Sequence, residues 1–187
     1  MLFNLQPHPE SRPEKIRVVT VEVQPHEAGW WFLSYAVEPG DALLLPDYHF
    51  ARLDRLWTNT CFELFIKIQG GGYREFNFAP AGGWNAYAFR DWRRGMTPLA
   101  MTIEPNLVDV RIDDRVPRLP AVYSLDVVLP KEAVERGTKM SLAAVIEEKG
   151  GAKSYWALAH PPGPPNFHHA AGFTTTLPLR PHSSPRT

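Results

Sequence analysis

Apolar and polar side chains alternate every second residue along most of this chain, the repeat of a strand with one face buried. The clearest run is 107–113, where Val108, Val110 and Ile112 alternate with Asp109, Arg111 and Asp113. In Cys61–Ile68, Phe62, Leu64, Ile66 and Ile68 share one face, while Cys61, Glu63, Phe65 and Lys67 share the other. In 73–80, Phe76 and Phe78 oppose Glu75 and Asn77. Further alternating runs occupy 16–23, 30–37, 84–89, Val122–Leu129, 140–147, 154–160 and 173–179. Gly70-Gly71-Gly72, Ala81-Gly82-Gly83 and Gly150-Gly151 supply turn residues between them. About ten short strands at this spacing predict an all-β fold, an antiparallel β-sandwich of jelly-roll type. At most one short helical turn is expected, at 131–136, between Pro130 and Gly137.

The pattern spans 16–179 as a single domain, and the polar, proline-containing segments 1–15 and 180–187 read as flexible flanks. The segment 160–172, HPPGPPNFHHAAG, is the one long loop, and its four prolines stiffen it for presenting side chains. A length of 187 residues suits one domain with a sizeable core. The formal net charge of +0 leaves no basic field for nucleic acid or an anionic membrane surface. The densest basic cluster, Arg90, Arg93 and Arg94 beside Trp92, reads as a turn flank or as a guanidinium grip on a ligand. No apolar run reaches the ~18 residues of a membrane span. The N-terminal MLFNLQPHPESRPEK has no basic start, apolar stretch or small-residue cleavage site, so a cytoplasmic location is expected. Cys61 is the only cysteine, which rules out an internal disulfide.

Carboxylates and amides set among aromatics on one sheet face match what a sugar requires. A pyranose offers an apolar face for flat rings and rim hydroxyls for hydrogen-bonding side chains. Trp57 stands in a turn just before a strand, where it either stacks on a ligand or closes the end of the sandwich. Trp84, Trp92 and Trp156 sit within or at the ends of strand runs, positions that suit core packing as well as a site. Glu63 and Glu75 could form the carboxylate pair of a glycoside hydrolase, roughly 5–10 Å apart. Nothing in their sequence surroundings marks either for a raised pKa, so no catalysis is expected. His160, His168 and His169 show none of the spacings that announce a metal site, and neither metal nor cofactor is expected.

Three blocks together carry a resemblance: LWTNTCFELFI, YREFNFAPAGGWNAYAF with a following RRGM, and SYWALAHPPGPPNFHHAAGFTTTL. They resemble the bacterial DOMON-like domains, which are related to the family 9 carbohydrate-binding modules. The resemblance implies an antiparallel sandwich that holds a saccharide between two aromatic rings. Trp57 matches the first ring, and Glu63 the strand carboxylate that accepts sugar hydroxyls. Asn77 matches a polar sheet position. Phe167 matches the second ring, where the sugar-binding members carry Trp. His160, Asn166, His168 and Trp84 complete the expected ligand-binding set. The expected partner is a small carbohydrate or similar polar metabolite. The wider group also includes haem-binding redox domains with Met and His axial ligands, an alternative for which Met96 with His160 or His168 would serve. An interaction domain without sugar binding is the third possibility.

Overall fold

The computed structural model describes residues 1–26, 29–47, 49–112, 121–134 and 137–177. Residues 113, 135–136 and 178–187, which include parts of three expected elements, lie outside the described residues. Fourteen strands appear among those described. They are β1 (Leu2–Asn4), β2 (Gln6–Pro7), β3 (Val18–Pro25), β4 (Trp31–Glu38), β5 (Ala51–Arg52), β6 (Cys61–Ile68) and β7 (Tyr73–Phe78), followed by β8 (Gly83–Phe89), β9 (Thr97–Pro98), β10 (Asn106–Ile112), β11 (Val122–Leu129), β12 (Gly137–Glu147), β13 (Lys153–Ala157) and β14 (Thr175–Thr176). One helical turn, α1 (Lys131–Val134), follows Pro130. The smaller sheet has the order β1-β3-β4-β11-β10. The larger runs β2-β13-β12-β6-β7-β8-β5, with β14 on β12 and β9 on β8. Pairing is antiparallel except between β5 and β8. The fold is thus the antiparallel sandwich the alternation predicts.

Alternation places the core. Val19, Val21 and Val23 of β3, Leu33 and Tyr35 of β4, and Leu125 and Val127 of β11 face inward from the smaller sheet. Phe62, Leu64, Ile66, Phe76, Phe78, Leu142 and Ile146 meet them from the larger. Tyr35 and Phe62 lie with ring centroids 5.0 Å apart across the interface. Each such side chain contributes on the order of 1.5–3 kcal/mol by leaving water. Trp84 belongs here too. It is paired with inward-facing Phe78, and only 1% of it is exposed. The expectation of a ligand-binding Trp84 is therefore corrected, because strand parity turns it to the face away from any site on the outer surface.

The N-terminal flank is also corrected. β1 pairs with β3 in the smaller sheet and β2 with β13 in the larger, so the first seven residues join both sheets. Leu5, between them, is buried. These strands are too short to carry a readable alternation, and their stability comes from tertiary pairing.

The outer face of the larger sheet is not a solvated one. Glu63, Glu75 and Asn77 share it, as the alternation requires, with Glu63 opposite Asn77 and Phe65 opposite Glu75. Phe65, Tyr73, Tyr87, Phe89 and Phe173 form a second apolar cluster on that face. The Tyr73 and Phe89 rings stack 4.6 Å apart. The 160–172 loop, which continues into Phe173, covers them.

The β6–β7 hairpin sets the register of Glu63 and Glu75, and Gly72 sets the hairpin. Its φ is +73°, and a Cβ there would fall 2.3 Å from the Phe89 carbonyl oxygen. Gly71 has φ +119° but open space around it. Both positions carry the cost of positive φ, so Gly72→Ala is expected to lower the unfolding free energy by about 1–3 kcal/mol more than Gly71→Ala, the cost of overpacking against the Phe89 carbonyl. Urea denaturation of the two variants measures the difference.

Candidate functional site

Outer-face positions of five neighbouring strands open into a cavity of about 440 Å³, within the range of small-molecule sites. Its lining includes Glu63 of β6, Glu75 of β7, Phe89 of β8, Val145 of β12 and Tyr155 of β13. Three connections wall it. Trp57 comes from the turn before β6, Arg93 and Met96 from the turn after β8, and Pro165, Phe167 and His168 from the long loop. Two of these turns hold non-glycine residues in the left-handed region, Arg55 at φ 61° and Arg93 at φ 51°. Such conformations are unfavourable for side chains with a Cβ and persist only where packing enforces them. Buried Leu56 anchors the first turn and leaves Trp57 36% exposed, its ring edge-on to Tyr87 at 5.9 Å. Phe167 packs at 6.1 Å from Tyr155.

The expected site residues separate into three groups. Trp57, Glu63, Phe167 and His168 come together at the cavity. Asn77 lies beneath it, fully buried, donating from Nδ2 to Glu75 Oε1 at 2.8 Å while its Oδ1 faces Cys61 Sγ. It supports the site and does not line it. His160 lies elsewhere: its Nε2 donates to the Gln6 carbonyl at 2.8 Å, and its ring meets His8 edge-on, so it fastens the N-terminal strands. Asn166 does not line the cavity either, and its Oδ1 is buried without a hydrogen-bond partner. Phe89, Val145, Tyr155 and Pro165 were not anticipated. Tyr155 shares strand parity with the outer face, a signal that alternation offered. Among the described residues no group of three or more His, Cys, Asp or Glu side chains is placed to hold a metal ion.

The electrostatics differ most from the sequence reading. Glu63 is 3% exposed and Glu75 4%. Burial pushes the Glu63 carboxyl well above its ordinary range, and the neighbouring Glu75 charge adds to this. Burial likewise raises Glu75, to about 7, although the Asn77 hydrogen bond and the Arg93 charge work against it. They are not ordinary ionised glutamates. His168 is shifted the other way, to about 4, by burial and by Arg93. Its Nδ1 stands 3.8 Å from Glu75 Oε2, too far for a hydrogen bond, and the neutral ring makes no ion pair there. The Arg93 backbone N–H donates to the Tyr73 hydroxyl at 3.2 Å, and that hydroxyl lies 2.8 Å from His168 Nδ1. The hydroxyl and Nδ1 share one hydrogen bond, whose direction follows the imidazole tautomer.

These shifts have opposite consequences for stability. Glu63 and Glu75 bind protons more tightly when folded, so their contribution is fully present below pH 4.5 and is lost as pH rises, through about 7 for Glu75. His168 binds its proton less tightly when folded, so its contribution grows from about pH 4 to the ordinary histidine value of 6.5. The two oppose each other below pH 6.5, and only the carboxylates act above it. Stability is expected to fall between about pH 6.5 and 8, and Glu75→Gln to reduce that fall. Urea midpoints across this window check it.

The chain matches no protein-family model, and no curated protein is similar to it. A crystal structure of a putative carbohydrate-binding protein from Bacteroides uniformis is similar in fold, with a TM-score of 0.60 at 15% sequence identity, covering 92% of this chain and 84% of that one.

Proposed function

We propose that this protein binds a small carbohydrate non-covalently in the outer-face cavity, in the manner of a DOMON-like or family 9 carbohydrate-binding module. The observation that carries the reading is convergence. Two aromatic side chains from separate connections, Trp57 and Phe167, meet a sheet-borne carboxylate, Glu63, at one cavity. The rings offer stacking surface for the apolar face of a pyranose, while Glu63 and His168 offer hydrogen-bonding groups to its hydroxyls. The solved structure of similar fold bears a description of the same kind, which supports the reading at the level of fold.

Removing one ring tests it. Trp57→Ala is expected to weaken saccharide binding by about 1–3 kcal/mol, roughly 5- to 150-fold in Kd, while the protein stays folded. Calorimetric titration with a saccharide panel, alongside circular dichroism, measures both. Loss of fold in the variant would mark Trp57 as a packing residue and remove it from the site.

Two other readings share the cavity. Met96 and His168 both line it, as a haem site would ask. The fit is poor, because Glu63 and Glu75 line the same space, where a porphyrin requires apolar contact. Hydrolysis requires two reachable carboxyls, one protonated and one ionised. Here Glu75 Oε1 is held by Asn77 and Oε2 is sealed from solvent, which leaves Glu63 alone to meet a glycosidic bond. Assays on aryl-glycosides and oligosaccharides are expected to give no turnover; turnover abolished by Glu63→Gln would make the protein an enzyme.

A further inference from the structure

Resting on the reading of the cavity as a saccharide site, we propose that its ligand carries a protonated amine, so that the class of saccharide bound is an amino sugar. Glu63 is the reason. It lines the cavity, it is 3% exposed, and its carboxylate has neither a hydrogen-bond donor nor an ion-pair partner among the described residues. Its backbone carbonyl is already taken by the Tyr35 hydroxyl of the opposite sheet, at 3.1 Å. The side chain is thus left to whatever enters the cavity. A buried carboxyl in this position is costly to ionise unless something compensates the charge.

The charge count asks for one cation. Glu63 and Glu75 both line the cavity, and among the described residues the only guanidinium there is that of Arg93, on an exposed turn. His168 is neutral at physiological pH. Burial favours the protonated form of both acids, and an entering ammonium favours their ionisation; ionised together against one guanidinium, they leave a single negative charge for the ligand to match. A neutral hexose can donate hydroxyl hydrogens to Glu63 but leaves that charge unmatched. An ammonium group brings three N–H donors and one positive charge, and charge-assisted hydrogen bonds are about twice as strong as neutral ones. A divalent metal fits less well, because no third ligating side chain joins the two carboxylates among the described residues.

The walls suit the same ligand. Trp57, Phe89, Tyr155 and Phe167 surround the acids with aromatic rings. Ring faces attract a cation and also stack against the C–H face of a sugar. Both halves of an amino sugar therefore find partners in one cavity.

The test uses the full chain in calorimetric titrations near neutral pH. Glucosamine, galactosamine and mannosamine are each compared with the parent hexose and with the N-acetyl derivative, which lacks the charge. At least one amine is expected to bind about tenfold more tightly than both of its neutral relatives. Glu63→Gln is expected to shrink that preference to about twofold or less. Should Glu63→Gln not fold, Glu75→Gln, which removes the second charge of the pair, is expected to reduce the preference in the same direction. Neutral hexoses binding as tightly as their amines would overturn the amine inference and leave the saccharide reading standing. A preference for amines that survives the variants would overturn the role given to the carboxylates. Absence of binding by every member of the panel would overturn the saccharide reading and this inference together.

Discussion

Burial of the larger sheet on both faces, where β6 and β7 run side by side, is the constraint on which the rest of the structure depends. A sandwich needs only one apolar face per sheet. Here the inner face is filled by Phe62, Leu64, Phe76 and Phe78, while the outer face is roofed by Phe65, Tyr73, Phe89 and Phe173 under a proline-stiffened loop. Polar residues that alternation sends to that outer face therefore leave water along with the aromatics. Glu63, Glu75 and Asn77 become interior groups with few partners, and the proton affinities of the two glutamates rise as a direct result.

This explains which part of the molecule could be read from its sequence. Face assignment needed only the period of two, and it placed Glu63 with Asn77 and Phe76 with Phe78 correctly. The same rule would have kept Trp84 out of the site, since Trp84 has the parity of Ala86 and pairs with Phe78. Its place in a strand run suited core packing as well as a site, and the core took it. The covering of the outer face was not legible. It depends on where the 160–172 loop lands, a long-range contact between His168, Phe173 and the β6–β7–β8 aromatics that no local pattern encodes. The glutamates consequently looked like solvated carboxylates until the loop was in place.

The histidines divide along the same line. His160 and His168 belong to one loop, yet His160 fastens Gln6 of the N-terminal strands while His168 is held by Tyr73 at the cavity wall. Their separate duties follow from the two ends of the loop. One end continues β13 and meets the N-terminus, and the other descends onto the aromatic cluster. The first seven residues, which read as a polar flank, gain their order from the partners this arrangement provides.

A carboxylate pair held in this way is unfavourable for the fold alone. Replacing buried charges with apolar side chains of similar volume is often neutral or stabilising, and nothing in the core requires Glu63. The neighbouring backbone repeats the pattern: Arg55 and Arg93 adopt left-handed conformations in the turns that deliver Trp57 and the Arg93 guanidinium. Local compromises of this kind gather at binding sites because a ligand, and not the folded chain, supplies the missing interactions. The inner core shows the opposite character, with apolar side chains meeting across the two sheets. Glu63, buried and without a side-chain partner among the described residues, is therefore better understood through what it can bind than through what it contributes to the sandwich.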